Sequence, residues 1–297
     1  MIVEIIILNL GVLSGVAWWL SRMQPGSNRW IFWTSLLAKV LAGTAVGILY
    51  FYYYRKGDTL IYWRDAVLLA DKIMSNPLES IKFFWDEGST PHLSEGFITW
   101  DSRSVFFVKI CSVLAILSGS SYWVMAIQMS FISFLGAWYL FTRIIFFFPS
   151  SRSAAAISFL FYPSVVFWSS GLIKESLGLG AIFFLAGIFL MIIKNQKLHV
   201  WEWLIMLVSL WVGWNLKYYW IGVFVPVVLA TIVIVKLGER TLFIKRFDLV
   251  SWTALLIIIL LIGTNIHPNF SPGRFLEVIV ENNRQFMPQG DVDKTSL

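Results

Sequence analysis

A single cysteine, Cys111, among 297 residues excludes an intramolecular disulfide, so the chain carries no redox evidence about its compartment. Charge is equally scarce: Asp, Glu, Lys and Arg make up 13% of the residues against 58% hydrophobic ones. A water-exposed surface cannot be assembled from so few polar side chains, which excludes a soluble globular domain. No basic n-region or small-residue cleavage site marks residues 2–20, so this apolar run is expected to be retained as a span. Metal-ligand spacing is also missing. Asp86, Glu87, His92 and Glu95 stand close enough in sequence for a divalent cation to be possible, yet they match no metal signature, and no metal is assigned. The net charge of +6 raises the question of nucleic acid. Its cations lie in short loops between apolar runs rather than in one patch, however, and no nucleic-acid partner is expected.

What is present is a succession of long apolar runs. Spans are expected at residues 2–20, 30–54, 121–142, 153–169, 177–193, 200–216, 218–235 and 249–266. Lys39 interrupts the second and is expected to snorkel toward the interface. Residues 104–117 contain Lys109 and reach only about 21 Å as a helix against roughly 30 Å of hydrocarbon, so they are laid on or into one leaflet instead of across it. With eight crossings, Arg22, Arg29, Arg143, Arg152, Lys194, Lys197, Lys236, Arg240, Lys245 and Arg246 all fall on one side, joined only by Glu239 and Asp248 as acids. The positive-inside rule makes that side cytoplasmic and the other outward. The fold class is thus an all-α polytopic membrane protein with about eight transmembrane helices. Residues 1–266 form one membrane domain with a large outward loop at 55–120 that holds interfacial helices, and a polar outward tail follows at 267–297.

The outward loop is where chemistry is possible. An aromatic run, Tyr50 to Tyr54, marks a helix leaving the bilayer. Gly57-Asp58-Thr59-Leu60-Ile61-Tyr62-Trp63-Arg64-Asp65 then opens the polar segment. On a helix starting there, Asp58, Tyr62 and Asp65 fall at i, i+4 and i+7 and share a face, with Arg64 beside it. An acidic N-cap followed by an interfacial helix accounts for Asp58 equally well. Further along, Asp71 to Met74 and Glu79 to Trp85 mix charge with apolar residues as short helices lying on a membrane do. Two later outward turns carry charge at a helix end: Pro163 to Glu175, which presents Lys174 and Glu175, and Asn215 to Trp220, which presents Lys217 beside Tyr218. Interfacial anchoring explains each alone. Three charged outward elements on one small bundle argue for a shared site. Both turns are short, so Lys174 and Lys217 are expected at one height, and a phosphate site further requires that they converge.

The order of these features resembles the GT-C superfamily of membrane glycosyltransferases. An aromatic-ended span leads to a loop opening Gly-Asp with a Tyr four residues after the Asp. A short apolar helix follows, then a span ending in an Arg- and Phe-rich turn, and then a Pro…Ser-Gly-Leu-x-Lys-Glu turn. The nearest likeness is to family 39-like bacterial enzymes that use polyprenyl-phosphate sugars, and it covers roughly residues 45–235. The resemblance implies a catalytic acid at Asp58 and a second acid at Glu175. It leaves Tyr62, Arg64, Asp65, Arg103, Lys109, Lys174, Lys217 and Tyr218 as substrate-binding candidates. The Lys-Pro-Pro motif found in relatives at the start of the short helix is absent, and Lys109 or Arg103 is the substitute it leaves. The implied activity is transfer of a sugar from a polyprenyl-phosphate donor to an envelope glycan or lipid acceptor. It would take place on the outer face of the cytoplasmic membrane, with no certain cofactor. A second class of function is a non-catalytic GT-C-like subunit of a cell-envelope assembly or secretion complex. A transporter is disfavoured because no inverted repeat and no pair of Gly/Pro-broken spans is visible.

Overall fold

The computed structural model describes residues 2–85, 88, 90–238, 241, 244 and 246–266, together with the isolated positions 273, 277 and 280. The chain divides into two compact units, Met1–Tyr218 and Tyr219–Leu297. The sequence placed a boundary at 266/267 instead. Most of the 267–297 tail, like Asp86, Glu87, Glu239, Arg240 and Lys245, lies outside the described residues.

The described residues are mostly helical, with no strand among them. In the first unit these are α1 (Ile2–Arg22), α2 (Gly26–Ile48, continued by a π-helical turn at Leu49–Tyr54), α3 (Asp58–Ser75) and α4 (Pro77–Trp85). Then come α5 (Ser102–Ser118), α6 (Tyr122–Phe147), α7 (Arg152–Ala156), α8 (Pro163–Trp168) and α9 (Lys174–Ile193). α10 (Val200–Gly238) runs across the division between the units, and α11 (Asp248–Ile266) lies in the second. There, Trp252 Nε1 donates to Thr231 Oγ1 at 3.0 Å.

Five helices among the described residues are long and apolar enough to cross a membrane: Val3–Arg22, Gly26–Tyr54, Tyr122–Phe147, Lys174–Ile193 and Val200–Gly238. Three differences separate this from the eight expected runs. Residues 153–169 do not form one helix: α7 passes into a π-helical turn at Ile157–Phe161, Tyr162 is extended, and α8 restarts at Pro163. Proline has no N–H to donate and pushes the residue before it out of the helical region, so the break falls where the ring demands it. The runs 200–216 and 218–235 follow each other without a loop and make one 39-residue stretch, but Lys217 leaves helical geometry (φ −143°, ψ 63°), so two helices meet at a kink where the sequence placed the turn. Finally, Asp248–Thr264 is apolar but shorter.

α6 is the central post, packed against α2, α5, α7 and most extensively α9. Small residues permit the α6–α9 approach: a Cβ on Gly136 would stand 2.9 Å from the Gly180 backbone, and one on Gly180 would stand 3.1 Å from Ser133 Cα. α1 is held to the bundle by Asn9, which donates to Leu117 O and accepts from Gln128 Nε2, each at 2.8 Å. Two apolar cores result. One, around Phe32, Phe134, Trp138 and Phe141, is centred on α2 and α6 and reaches α1, α7 and α9. The other, around Leu69, Phe83, Phe107 and Met125, joins α3, α4 and α5 to the start of α6.

The connections sort to opposite ends. At one end Arg152 donates to Ser27 O, and the Lys194 ammonium sits 4.9 Å over the Phe148 ring, so three of the four basic connections meet. There too the buried Glu202 accepts from Tyr139 Oη at 2.6 Å, Arg143 Nη2 at 3.1 Å and, at 2.9 Å, the N–H of His199, the residue just before its helix. The other end gathers the α2 C-terminus, the N-termini of α3, α5, α6 and α9, and Lys217.

The α6–α9 contact generates a contrast. Gly136→Val is expected to force backbones apart and lower stability by about 1–3 kcal/mol, as overpacking does. Gly15→Val, where nothing lies within 4 Å, is expected to be silent. Thermal unfolding of both purified variants in detergent checks this.

Candidate active site

α3 begins where it does because Gly57 has φ +134°, a region that residues with a Cβ avoid, and because the Tyr50 ring covers the place a Cβ would take. Gly57, not Asp58, is the N-cap residue, and no side chain caps the helix. The capping explanation of Asp58 is therefore corrected: its carboxylate is exposed in the first turn of α3. There it benefits from the helix dipole and is open to chemistry.

One turn on, Tyr62 is buried with its hydroxyl 3.5 Å from Asp58 Oδ2 and 3.4 Å from Ser104 Oγ. Ser104 also receives the Lys174 ammonium at 2.7 Å, and its backbone N–H donates to Asp101 Oδ1 at 3.0 Å, the N-cap bond of α5. The same ammonium lies 5.3 Å over the Tyr62 ring. Asp101 and Asp58 are close enough to attract it, and Lys217 and Arg103 to repel it. Next to Lys174, Glu175 accepts from Lys217 Nζ at 2.7 Å, and Arg103 Nε lies 3.7 Å from Asp101 Oδ1. Asp58, Tyr62, Arg103, Lys174, Glu175 and Lys217 thus come together from α3, α5, α9 and α10, around a hydroxyl that supports them.

The electrostatics follow. Burial raises the Tyr62 phenol well above its ordinary value; the Ser104 hydrogen bond opposes this, while Asp58, Asp101 and Glu175 add to it. Tyr62 therefore stays a neutral donor. Burial works against the charge on Asp101, but the Ser104 hydroxyl and N–H, helped by Lys174 and Arg103, outweigh it and hold its carboxyl below the ordinary value of 3.8.

Four candidates lie elsewhere or serve otherwise. Asp65 is fully buried and accepts the N–H groups of Ile98 and Thr99 at 2.8–3.2 Å, so it fixes the 98–99 segment onto α3 and is not part of the site. Lys109 is buried 4.5 Å over the Phe83 ring and donates to Phe84 O at 3.4 Å, fastening α4, and is corrected likewise. Arg64 is exposed. Tyr218 is half-buried, with its ring 6.4 Å from that of Trp214. Sequence reasoning missed Ser104 and Asp101; their Asp-Ser-Arg-Ser spacing at the start of an apolar run is a legible N-cap signal. It also misread Lys39, which does not snorkel. It is 1% exposed and donates to Ser133 Oγ at 3.0 Å, to Ser169 O at 2.7 Å and to Ser169 Oγ. Among the described residues no group of three or more His, Cys, Asp or Glu is arranged to hold a metal; His92 instead pairs with Glu79 at 3.1 Å.

Asp101 yields a pH-dependent expectation. A carboxyl with a depressed folded pKa stabilises fully above its unfolded value, and that stability is lost as pH falls through the folded one. Asp101→Asn keeps a good N-cap but removes the charge. The variant is expected to unfold at a lower temperature than the parent at pH 6. The gap should close as pH falls below the ordinary value of 3.8, in thermal melts across the acid range.

No family model, curated protein or solved structure matches the chain.

Proposed function

We propose that this chain is a GT-C-like membrane glycosyltransferase that moves a sugar from a polyprenyl-phosphate donor to a glycan or lipid hydroxyl. The observation that carries the reading is the meeting of an exposed carboxylate, Asp58, with the ammonium of Lys174 across Tyr62 and Ser104 at one end of an apolar bundle. A lipid-linked donor keeps its tail among apolar helices and its phosphate at their ends, so base and cations must stand at that height.

In this reading Asp58 takes the proton from the acceptor hydroxyl, whose oxygen attacks the anomeric carbon as the bond from that carbon to the lipid phosphate breaks. One such displacement inverts the centre. Lys174 and Lys217 neutralise the departing phosphate, and the neutral Tyr62 phenol steadies Asp58 without competing for its proton. Glu175 holds Lys217 and does not touch Asp58. The eight-crossing arrangement belongs to the same proposal, with Lys217 as the turn between two crossings and the 55–120 loop outward on the inner membrane. It is supported by the meeting of three of the four basic connections at the end away from Asp58.

The alternative is a non-catalytic subunit of an envelope assembly. It is favoured by the 2.7 Å Lys217–Glu175 pair, which balances the lysine without any substrate.

Transfer assays with purified protein and a panel of polyprenyl-phosphate sugars separate the two. Asp58→Asn is expected to lower turnover at least a hundredfold with unchanged unfolding temperature, whereas Asp65→Asn should lower stability first. Parental turnover in the Asp58 variant ends the catalytic assignment. Topology is read by cysteine labelling after Cys111→Ser. Glu95→Cys should react in intact cells and Lys197→Cys only after permeabilisation; the reverse pattern inverts the map.

A further inference from the structure

α9 carries two of the clustered charges in its first two residues, Lys174 and Glu175, and it is preceded by a short non-helical segment, 169–173, that follows the break at α8. Nothing in the segment's own sequence fixes its direction. Gly171 has φ +79°, and Ser169 and Ser170 bond back to Val165 O and Val166 O. Ser176 Oγ, in the first turn of α9, donates to Gly171 O at 2.8 Å, and the turn is tied to the rest of the bundle by α6 and α2. Ser130 Oγ accepts the Gly171 N–H at 2.8 Å, and Gly43 packs so close that a Cβ there would lie 2.9 Å from Gly171 N. Lys39 closes the arrangement, with its ammonium donating to Ser169 O and Ser169 Oγ on one side and Ser133 Oγ on the other.

An ammonium within an apolar bundle is retained only where every proton finds an acceptor. Here three acceptors serve three protons, two of them on one residue of the turn. We infer that Lys39 is a positioning residue that straps the 169–173 turn to α2 and α6 and so sets where Lys174 and Glu175 stand. The catalytic consequence rests on the glycosyl-transfer reading; the strap does not. Lys39 touches none of the clustered charges and acts through the turn alone. Only four residues lie between Ser169 and Lys174, so freedom at the first is passed to the second with little chain to absorb it.

Two readouts test this separately. In hydrogen–deuterium exchange of the detergent-purified protein, Lys39→Met is expected to speed exchange of peptides covering 169–176 at least tenfold. Peptides from α3 and α5 should change less than twofold. Ser169→Ala, which keeps the carbonyl but loses the hydroxyl, is expected to give a smaller rise in the same peptides, and it carries the comparison if Lys39→Met does not accumulate. In donor-dependent transfer, the Lys39 variant should raise KM for the polyprenyl-phosphate sugar about tenfold with kcat within threefold and acceptor KM unchanged. Unchanged exchange at 169–176, or a rise shared equally by α3 and α5, overturns the strap. A fall in kcat with unchanged donor KM overturns the link to Lys174. A parent inactive with every donor, but with local exchange as described, removes glycosyl transfer and leaves the strap standing.

Discussion

One hydroxyl, that of Ser104, lies between two helix starts and a buried phenol. Lys174 at the head of α9 donates to it at 2.7 Å, Tyr62 from α3 approaches it at 3.4 Å, and its own N–H is spent on Asp101 at the head of α5. A hydroxyl has one proton and two lone pairs, so accepting from Lys174 leaves one lone pair and a single proton, to be shared between Tyr62 and the Asp101 carboxylate. The cluster needs such a mediator because its acids and cations are interleaved. Direct contact of every opposite pair would collapse it into ion pairs, and direct contact of like charges would drive it apart. Spacing them around a small neutral group keeps Asp58 exposed and Lys174 oriented.

The same logic runs through the apolar part of the molecule. Three strongly polar groups that enter the bundle are met by partners from other segments: Asn9 by Gln128 and the Leu117 carbonyl, Lys39 by Ser133 and Ser169, Glu202 by Tyr139 and Arg143. Burying such groups unpaired is costly in any apolar medium, so each pair also fixes which helices can be neighbours. Glycines then decide how near they come, as at Gly136 and Gly180.

Much of this was legible in the sequence because it rests on local rules. The aromatic end of the second run, the Gly-Asp that opens α3 and the short 104–117 helix follow from composition and length. Tyr62 could be placed beside Asp58 from the helical repeat alone. The same repeat misled at Asp65: i+7 lies on the same face, yet two backbone N–H groups from residues 98 and 99, more than thirty positions away, claim that carboxylate. Lys39 and Lys109 failed for the same reason. A cation in an apolar run either reaches water or finds acceptors, and the acceptors are serines and carbonyls of distant segments that no pattern around the lysine announces. Residues 153–169 were expected as one helix because their apolar content was read and the proline's effect on Tyr162 was not.

The Arg143–Glu202 pair has a consequence in time. The two residues stand 59 positions apart, with the whole of α9 between them. During synthesis α6 is complete before residue 202 exists, so at that stage Arg143 is a cation without its carboxylate. Once α10 arrives, Glu202 balances that charge and leaves the guanidinium only partly exposed. The same side chain is a lone charge while the bundle is being made and a rivet once it is complete, and a charge count of the finished protein records only the second role.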